Sequence, residues 1–316
     1  MEYLILILSL AGIVFGADFL VAGAVSIARK YHVSDFVIGA AIVGVGTSMP
    51  ELVVSFLGAV NGNADVAIGN VVGSNIFNVL GILGLTAIFF PVAIERKNLK
   101  FEIPLCIGVS GILTLLALNF FSGTPASISR LDGILLLSLF ALFMWYSFAR
   151  DRKQAEPPTE EIAEQGSLLM AIAKVVGGLT LLIISCDLFV DNAVTIAKSF
   201  GVNDAFISLT LIACGTSLPE LAASIAAAVK RNTDMALGNI IGSNIFNITL
   251  ILGLSSQVMP LTSSGITHID YTVMIMAAVA TLVIGLRGGV NRLSGALLVT
   301  GFVLYNWYLI SSKAAV

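Results

Sequence analysis

The sequence predicts an all-α polytopic membrane protein: ten transmembrane helices arranged as two inverted-topology five-helix repeats, with helices 2 and 7 discontinuous. Three observations carry that reading. The 316 residues are 57% hydrophobic and only 11% charged, against about 25% charged in a soluble domain. Apolar runs long enough to cross a bilayer recur along the whole chain. The chain also matches itself at an offset of 169 residues, GTSMPEL (46–52) falling on GTSLPEL (215–221) and GNVVGSNIFNV (69–79) on GNIIGSNIFNI (238–248).

In the first half the spans fall at about 3–26, 33–59, 64–90, 101–120 and 128–149. In the second they fall at about 167–190, 202–229, 233–259, 268–287 and 292–312. The chain thus divides into a first repeat (1–150), a linker (151–166) and a second repeat (167–316). The linker, DRKQAEPPTEEIAEQG, carries Pro157, Pro158 and several glutamates and reads as a solvated connection with no domain of its own.

Lysine and arginine orient the spans. With the N-terminus outside, all of the 16 basic residues except Arg130, Lys198 and Lys313 fall in odd-numbered loops or toward the span ends that adjoin them. Those loops, the linker among them, are therefore cytoplasmic, and both termini are outside. An odd number of spans in each half makes the second half enter the membrane upside down. The offset carries Asp18 onto Asp187, Asp35 onto Asp204, Ser55 onto Ser224 and Asp65 onto Asp234. Such an inverted repeat points to a secondary transporter with its site near the midplane, between the repeats.

Several classes drop out. A formal charge of −3 offers no basic face to a nucleic acid, and no G-x-x-x-x-G-K-[ST] motif occurs for a nucleotide. The serine-rich motifs have no nearby His or Lys base, and GTSMP is not a nucleophile elbow, so no enzyme is expected. Cys106, Cys186 and Cys214 lie in apolar runs and read as small core residues, and no cofactor is implied. MEYLILILSL lacks a basic leader region, so no cleaved signal peptide is expected.

Within the spans, Glu51 needs a reason, because a carboxylate at membrane depth costs about 2.5–3.5 kcal/mol even on lenient scales. Pro50 has no N–H for the carbonyl of Gly46 and pushes it aside, as Pro219 does to that of Gly215. Each second helix of a repeat should break just before its glutamate, freeing carbonyls around Gly44–Gly46 and Ala213–Gly215. Backbone is left loose in a membrane only where it faces a cavity or an ion. Thr47, Glu51 and Ser55 then share one helix face with Ser48 close by, and Thr216, Glu220, Ser224 and Ser217 repeat the arrangement. Asn70, Ser74 and Asn78 form an oxygen stripe on the next span, matched by Asn239, Ser243 and Asn247.

Two carboxylates, hydroxyls, amide oxygens and carbonyls suit a hard cation. Ca²⁺ takes about 6–8 oxygens in flexible geometry, whereas Mg²⁺ demands a tighter octahedron. Soft metals lack the Cys or His they prefer. The same carboxylates can hold Na⁺ or protons instead. Ser55, Ser224, Asn70, Asn239, Asn75 and Asn244 read as close-packing residues, and Asp65 and Asp234 as N-caps. Asp18 and Asp187 sit deeper, as candidate interhelical partners, while His32 and His268 look incidental.

The paired motifs resemble the alpha-repeats of the cation/calcium exchanger superfamily, in particular its sodium/calcium exchanger branch with GTS-x-PE, prokaryotic in type. The similarity covers nearly the whole chain, with alpha motifs at 44–84 and 213–253. It implies ion ligands Thr47, Ser48, Glu51, Ser74 and Asn78 from the first repeat, and Thr216, Ser217, Glu220, Ser243 and Asn247 from the second, with the carbonyls of Gly44 and Ala213. It implies a Na⁺/Ca²⁺ antiporter of the cell membrane that alternates access by sliding its first and sixth helices, about 3–26 and 167–190, across a fixed core. The alternative is a Ca²⁺/H⁺ antiporter using the same two glutamates. One departure stands out: where relatives usually have an aspartate in the second repeat, this chain has Asn247, which leaves two carboxylates rather than three. The linker is too short for the cytoplasmic Ca²⁺-sensing domains of animal exchangers, so no such regulation is expected.

Overall fold

The structure, a computed structural model, describes residues 2–118, 127–154, 167–200, 213–262 and 265–313. Its helices are α1 (Glu2–Tyr31), α2 (Asp35–Thr47), α3 (Met49–Val60), α4 (Ala64–Phe89), α5 (Arg96–Ala117) and α6 (Arg130–Gln154). The second half adds α7 (Leu168–Ser199), α8 (Leu218–Val229), α9 (Thr233–Val258), α10 (His268–Gly285) and α11 (Arg292–Lys313). Among the described residues, 8 helices are long and apolar enough to cross a membrane, and the broken pair α2–α3 makes a ninth span. The expected span at 202–229 lies partly outside the described residues, the helical turn Ala213–Gly215 and α8 falling in its described part. Residues 155–166 of the linker lie outside them too, and α6 runs to Gln154, past the expected start of the linker.

Helices α1 and α7 extend well beyond the expected ends at 26 and 190. Polar side chains there bond back one turn within the helix, satisfying their own donors: Ser26 Oγ donates to the Ala22 carbonyl at 2.9 Å, Asn192 Nδ2 to Leu188 at 2.7 Å and Thr195 Oγ1 to Asp191 at 2.8 Å. Hydropathy alone does not see this.

The chain folds as two compact units, each drawing on both halves of the sequence. Unit 1 comprises Met1–Thr47 and Phe143–Gly242. Here α1 and α7 run antiparallel in close contact, Gly23 meeting Ala171 while Gly16 meets Gly178 and Leu182. A Cβ on Gly16 would stand 2.7 Å from the Leu182 nitrogen, so only glycine permits this approach. Around the seam lies an apolar core including Leu20, Val21, Ala24, Val43, Leu182 and Met235. Unit 2 comprises Ser48–Leu142 and Ser243–Val316. Its core includes Ile82, Leu83, Ile103, Leu113, Leu136 and Tyr271, with Phe140 edge-on to Phe246 at 5.8 Å. Two small antiparallel ladders tie its loops: β1 (Val92–Ala93) pairs with β4 (Gly289–Val290), and β2 (Ser127–Ile128) with β3 (Leu261–Thr262). Each ladder joins the first half of the sequence to the second.

The most enclosed helices are α4 and α9, with 78% and 94% of their apolar windows buried, against 11% for α11. Lipid-facing helices expose leucine, valine and phenylalanine, so the buried interior is left for polar residues. That interior carries the motifs.

Candidate functional site

In unit 2, Ser48 (φ −82°, ψ 10°) interrupts the helix after Thr47, and α3 restarts with Pro50 in its first turn. Glu51 therefore sits at a helix N-terminus, fully buried, where the macrodipole favours a carboxylate. Asn70 Nδ2 donates to the Glu51 carbonyl at 3.2 Å and to Ser55 Oγ at 3.0 Å, clamping the first turn of α3 to α4.

Beyond the clamp lies a knot of asparagines. Asn75 and Asn244, residues equivalent by the repeat, bond reciprocally: each Nδ2 donates to the other's backbone carbonyl, at 3.1 and 3.3 Å. Asn78 Nδ2 donates to Asn244 Oδ1 at 3.0 Å, and Asn247 Nδ2 donates to Ser74 Oγ at 3.1 Å and to Asn75 Oδ1 at 3.2 Å. These amide nitrogens are spent on the protein. The amide oxygens of Asn78 and Asn247 are buried with no hydrogen-bond partner among the described residues. A buried, bare amide oxygen is costly and marks a place for a donor or a cation. Both asparagines sit in π-helical turns, Phe77–Leu83 and Asn247–Ile251, a distortion that recurs at functional sites. Ser48, Ser74 and Ser243, the other expected ligands in this unit, are all buried.

Unit 1 builds the second turn in the same way. Ser217 (φ −93°, ψ 9°) precedes α8, Pro219 lies in its first turn, and Glu220 follows, fully buried. Asn239 Nδ2 donates to the Glu220 carbonyl at 3.1 Å and to Ser224 Oγ at 2.8 Å. Thr47 comes close here: its Oγ1 lies 3.3 Å from Asn239 Oδ1 and 3.4 Å from the Gly44 carbonyl, at the end of the π-helical turn Gly39–Gly44. Asn239 thus links an expected ligand of the first repeat to the glutamate turn of the second. Thr216 is half-buried, and Ala213 opens the short helical turn Ala213–Gly215.

Two readings of the sequence change. Asn70, Asn239, Asn75 and Asn244 do more than pack closely, since they make the directional bonds that hold the glutamate turns and the asparagine knot. Asp65 and Asp234 are not the N-caps. Asn63 Oδ1 accepts from the Val66 N–H at 3.2 Å and Asn232 Oδ1 from the Met235 N–H at 3.1 Å, while Asp65 accepts from the Gly265 N–H at 2.9 Å. The cap belongs to the residue just outside the first turn, and both asparagines recur at the repeat offset.

Comparison with known proteins agrees with this architecture. The family model described as sodium/calcium exchanger protein matches residues 1–149 and 170–311. The putative antiporter CaxA of Alkalimonas amylolytica is 40% identical over 316 residues, covering 95% of this chain and 96% of that protein. The sodium/calcium exchanger MaX1 of Methanosarcina acetivorans is 32% identical over 339 residues, covering 96% and 97%. Among solved structures, the sodium-calcium exchanger NCX_Mj soaked with 2.5 mM Na⁺ and 1 mM Sr²⁺ superposes with a TM-score of 0.83 at 30% identity, covering 96% of this chain and 97% of that one. The chain belongs to the sodium/calcium exchanger family and is a polytopic membrane protein of the cation antiporter type.

Proposed function

We propose that the protein exchanges Na⁺ for Ca²⁺ across the cell membrane by alternating access, with both termini outside, its ions bound near the midplane by ligands from the two inverted repeats. Glu51 and Glu220 are the charged ligands. Thr47, Ser48, Ser74, Asn78, Thr216, Ser217, Ser243 and Asn247 supply neutral oxygens, with the carbonyls of Gly44 and Ala213. The observation that carries this reading is the donor set. Buried glutamates at two broken helices, and the bare amide oxygens of Asn78 and Asn247, offer a set of oxygen donors. Such a set suits a hard cation such as Ca²⁺ better than a soft metal.

Charge sets the coupling. Two ionised glutamates make one Ca²⁺ a neutral load and three Na⁺ a load of one positive charge, so sodium coupling survives with Asn247 in place of an acid, and the two cargoes compete because they share the same carboxylates. The test is ⁴⁵Ca²⁺ uptake into proteoliposomes loaded with Na⁺, beside vesicles carrying only a pH gradient. Uptake that requires internal Na⁺ and responds to membrane potential is the expected result. Uptake driven by the pH gradient alone would replace sodium coupling with proton coupling. Asn247→Asp, which adds a third carboxylate, is expected to change the Na⁺ dependence or pH profile of the same uptake; an unaltered profile would mean that position 247 does not set the coupling.

A further inference from the structure

We infer that Asp18 and Lys230 form a latch that biases alternating access toward the conformation in which α1 is held against the end of α8, and that only one repeat carries it. The inference rests on the alternating-access reading above.

Lys230 Nζ lies 2.6 Å from Asp18 Oδ1 and donates to the Asp18 backbone carbonyl at 2.9 Å, joining mid-α1 to the residue that ends α8. The remainder of that contact is apolar. Leu10, Val14, Leu221, Ile225 and Val229 line a groove of about 470 Å³ between the two helices, and Asp18 is the one charged residue in its lining. Apolar walls of this kind slide readily, whereas an ammonium bonded to both a carboxylate and a carbonyl holds one register.

The turn that carries Lys230 occurs twice. After α8, Arg231 takes a left-handed φ of 59°, its N–H donates to the Ala228 carbonyl at 2.9 Å, and the Asn232 N–H donates to Ala227 at 2.9 Å. After α3, Gly62 takes φ 76°, its N–H donates to Ala59 at 3.0 Å, and the Asn63 N–H donates to Gly58 at 2.8 Å. These residues correspond one to one at the repeat offset, so the backbone at 61 and at 230 is the same. The acid is duplicated, Asp18 falling on Asp187. The base is not, since Lys230 falls on Asn61.

In an inverted-repeat transporter one bundle moves against the other around a fixed site, and the pseudo-symmetry lets the two repeats trade roles between the end states. The state opposite to this one would put Asp187 in the role of Asp18 and Asn61 in the role of Lys230, where no ion pair can form. The side chains of Lys230 and Asp18 are 31% and 52% exposed, so the pair is weak in absolute terms. It nevertheless acts in full on the equilibrium, because only a difference between states moves populations. Positive-inside orientation puts the 230–231 turn on the cytoplasmic side, so the latch favours closure of that face.

Hydrogen–deuterium exchange of the full chain in nanodiscs, without Na⁺ or Ca²⁺, tests this independently of transport. Two segments are followed, 218–232 and its counterpart 49–63. Lys230→Asn, which installs the residue found at position 61, is expected to raise exchange over 218–232 and to lower it over 49–63, each by roughly two- to five-fold, the range an exposed ion pair allows. Asn61→Lys is expected to move both segments by the same range in the same senses, since it would latch the opposite state. The inverted pair, Asp18→Lys with Lys230→Asp, should restore the wild-type pattern. A rise confined to 218–232 would mean a lost local contact and overturn the latch, as would no change in either segment. Failure of Na⁺-driven uptake in the wild type would overturn the proposed function, while the exchange pattern reports on the latch alone.

Discussion

The turn that presents Glu51 and the turn that presents Glu220 can be compared bond by bond. In each, a serine with ψ near 10° breaks the helix, a proline follows in the first turn, and the glutamate is fully buried. An asparagine 19 residues further on bonds the glutamate carbonyl and the serine one turn later, at 3.2 and 3.0 Å in one case and 3.1 and 2.8 Å in the other. At the helix ends the backbone still matches but the side chains do not, Asn61-Gly62 corresponding to Lys230-Arg231. The interior is doubled because buried polar groups have few satisfactory arrangements. At the solvated ends the side chains differ, and there Lys230 pairs with Asp18 as Asn61 cannot.

If the two turns are equivalent in work as well as in shape, Glu51→Gln and Glu220→Gln should fail alike. Leaving a buried cation short of a carboxylate costs about 3–5 kcal/mol, so each variant is expected to lose Ca²⁺ transport by at least two orders of magnitude. Both should still insert and elute as folded protein. Full activity in either one would remove that glutamate from the ion site and break the comparison.

The clamps give the next largest effect. Asn70→Ala and Asn239→Ala each remove a residue that holds the turn of a proposed ligand without being one of the proposed ligands. Loss of such a supporting bond typically costs about 10–100-fold in metal affinity, read here as a raised half-saturating Ca²⁺ concentration. The pair also sharpens the comparison. Asn239 meets Thr47 as well as Glu220 and Ser224, so Asn239→Ala is expected to be the worse of the two. Equal losses would mean that the Thr47 contact carries no weight.

How far these residues could be read in advance depends on how far away their partners lie. Glu51 and Glu220 stood out because a carboxylate in an apolar span needs a reason, and the breaks beside them followed from Pro50 and Pro219. The repeat was legible because it is written in polar residues. Asn70 was not legible as a clamp, since it and Glu51 belong to different helices and only folding brings them within 3.2 Å. The same holds for Asn75 and Asn244, 169 residues apart. In the sequence Asp65 reads as the cap of α4, and the structure gives that place to Asn63. Asp65 lies inside the first turn and instead accepts from the Gly265 N–H, a partner 200 residues away that no local pattern announces.

The smallest expected effect lies where the repeats diverge most. Gly62 and Arg231 occupy the same left-handed turn, at φ 76° and 59°. Glycine adopts this region freely, whereas a residue with a Cβ carries about 1–2 kcal/mol of strain there. Arg231→Gly should therefore stabilise the protein, by about 0.5–1 kcal/mol after the larger entropy of glycine in the unfolded chain is set against the relief. Gly62→Ala, which meets no atom within 4 Å and so adds no clash, should destabilise it by about 1 kcal/mol through φ alone. Thermal unfolding in detergent reads both, with shifts of opposite sign. If Arg231→Gly lowers the midpoint instead, the guanidinium contributes more at the end of α8 than its backbone strain removes, and the second turn owes its form to that side chain rather than to the geometry it shares with the first.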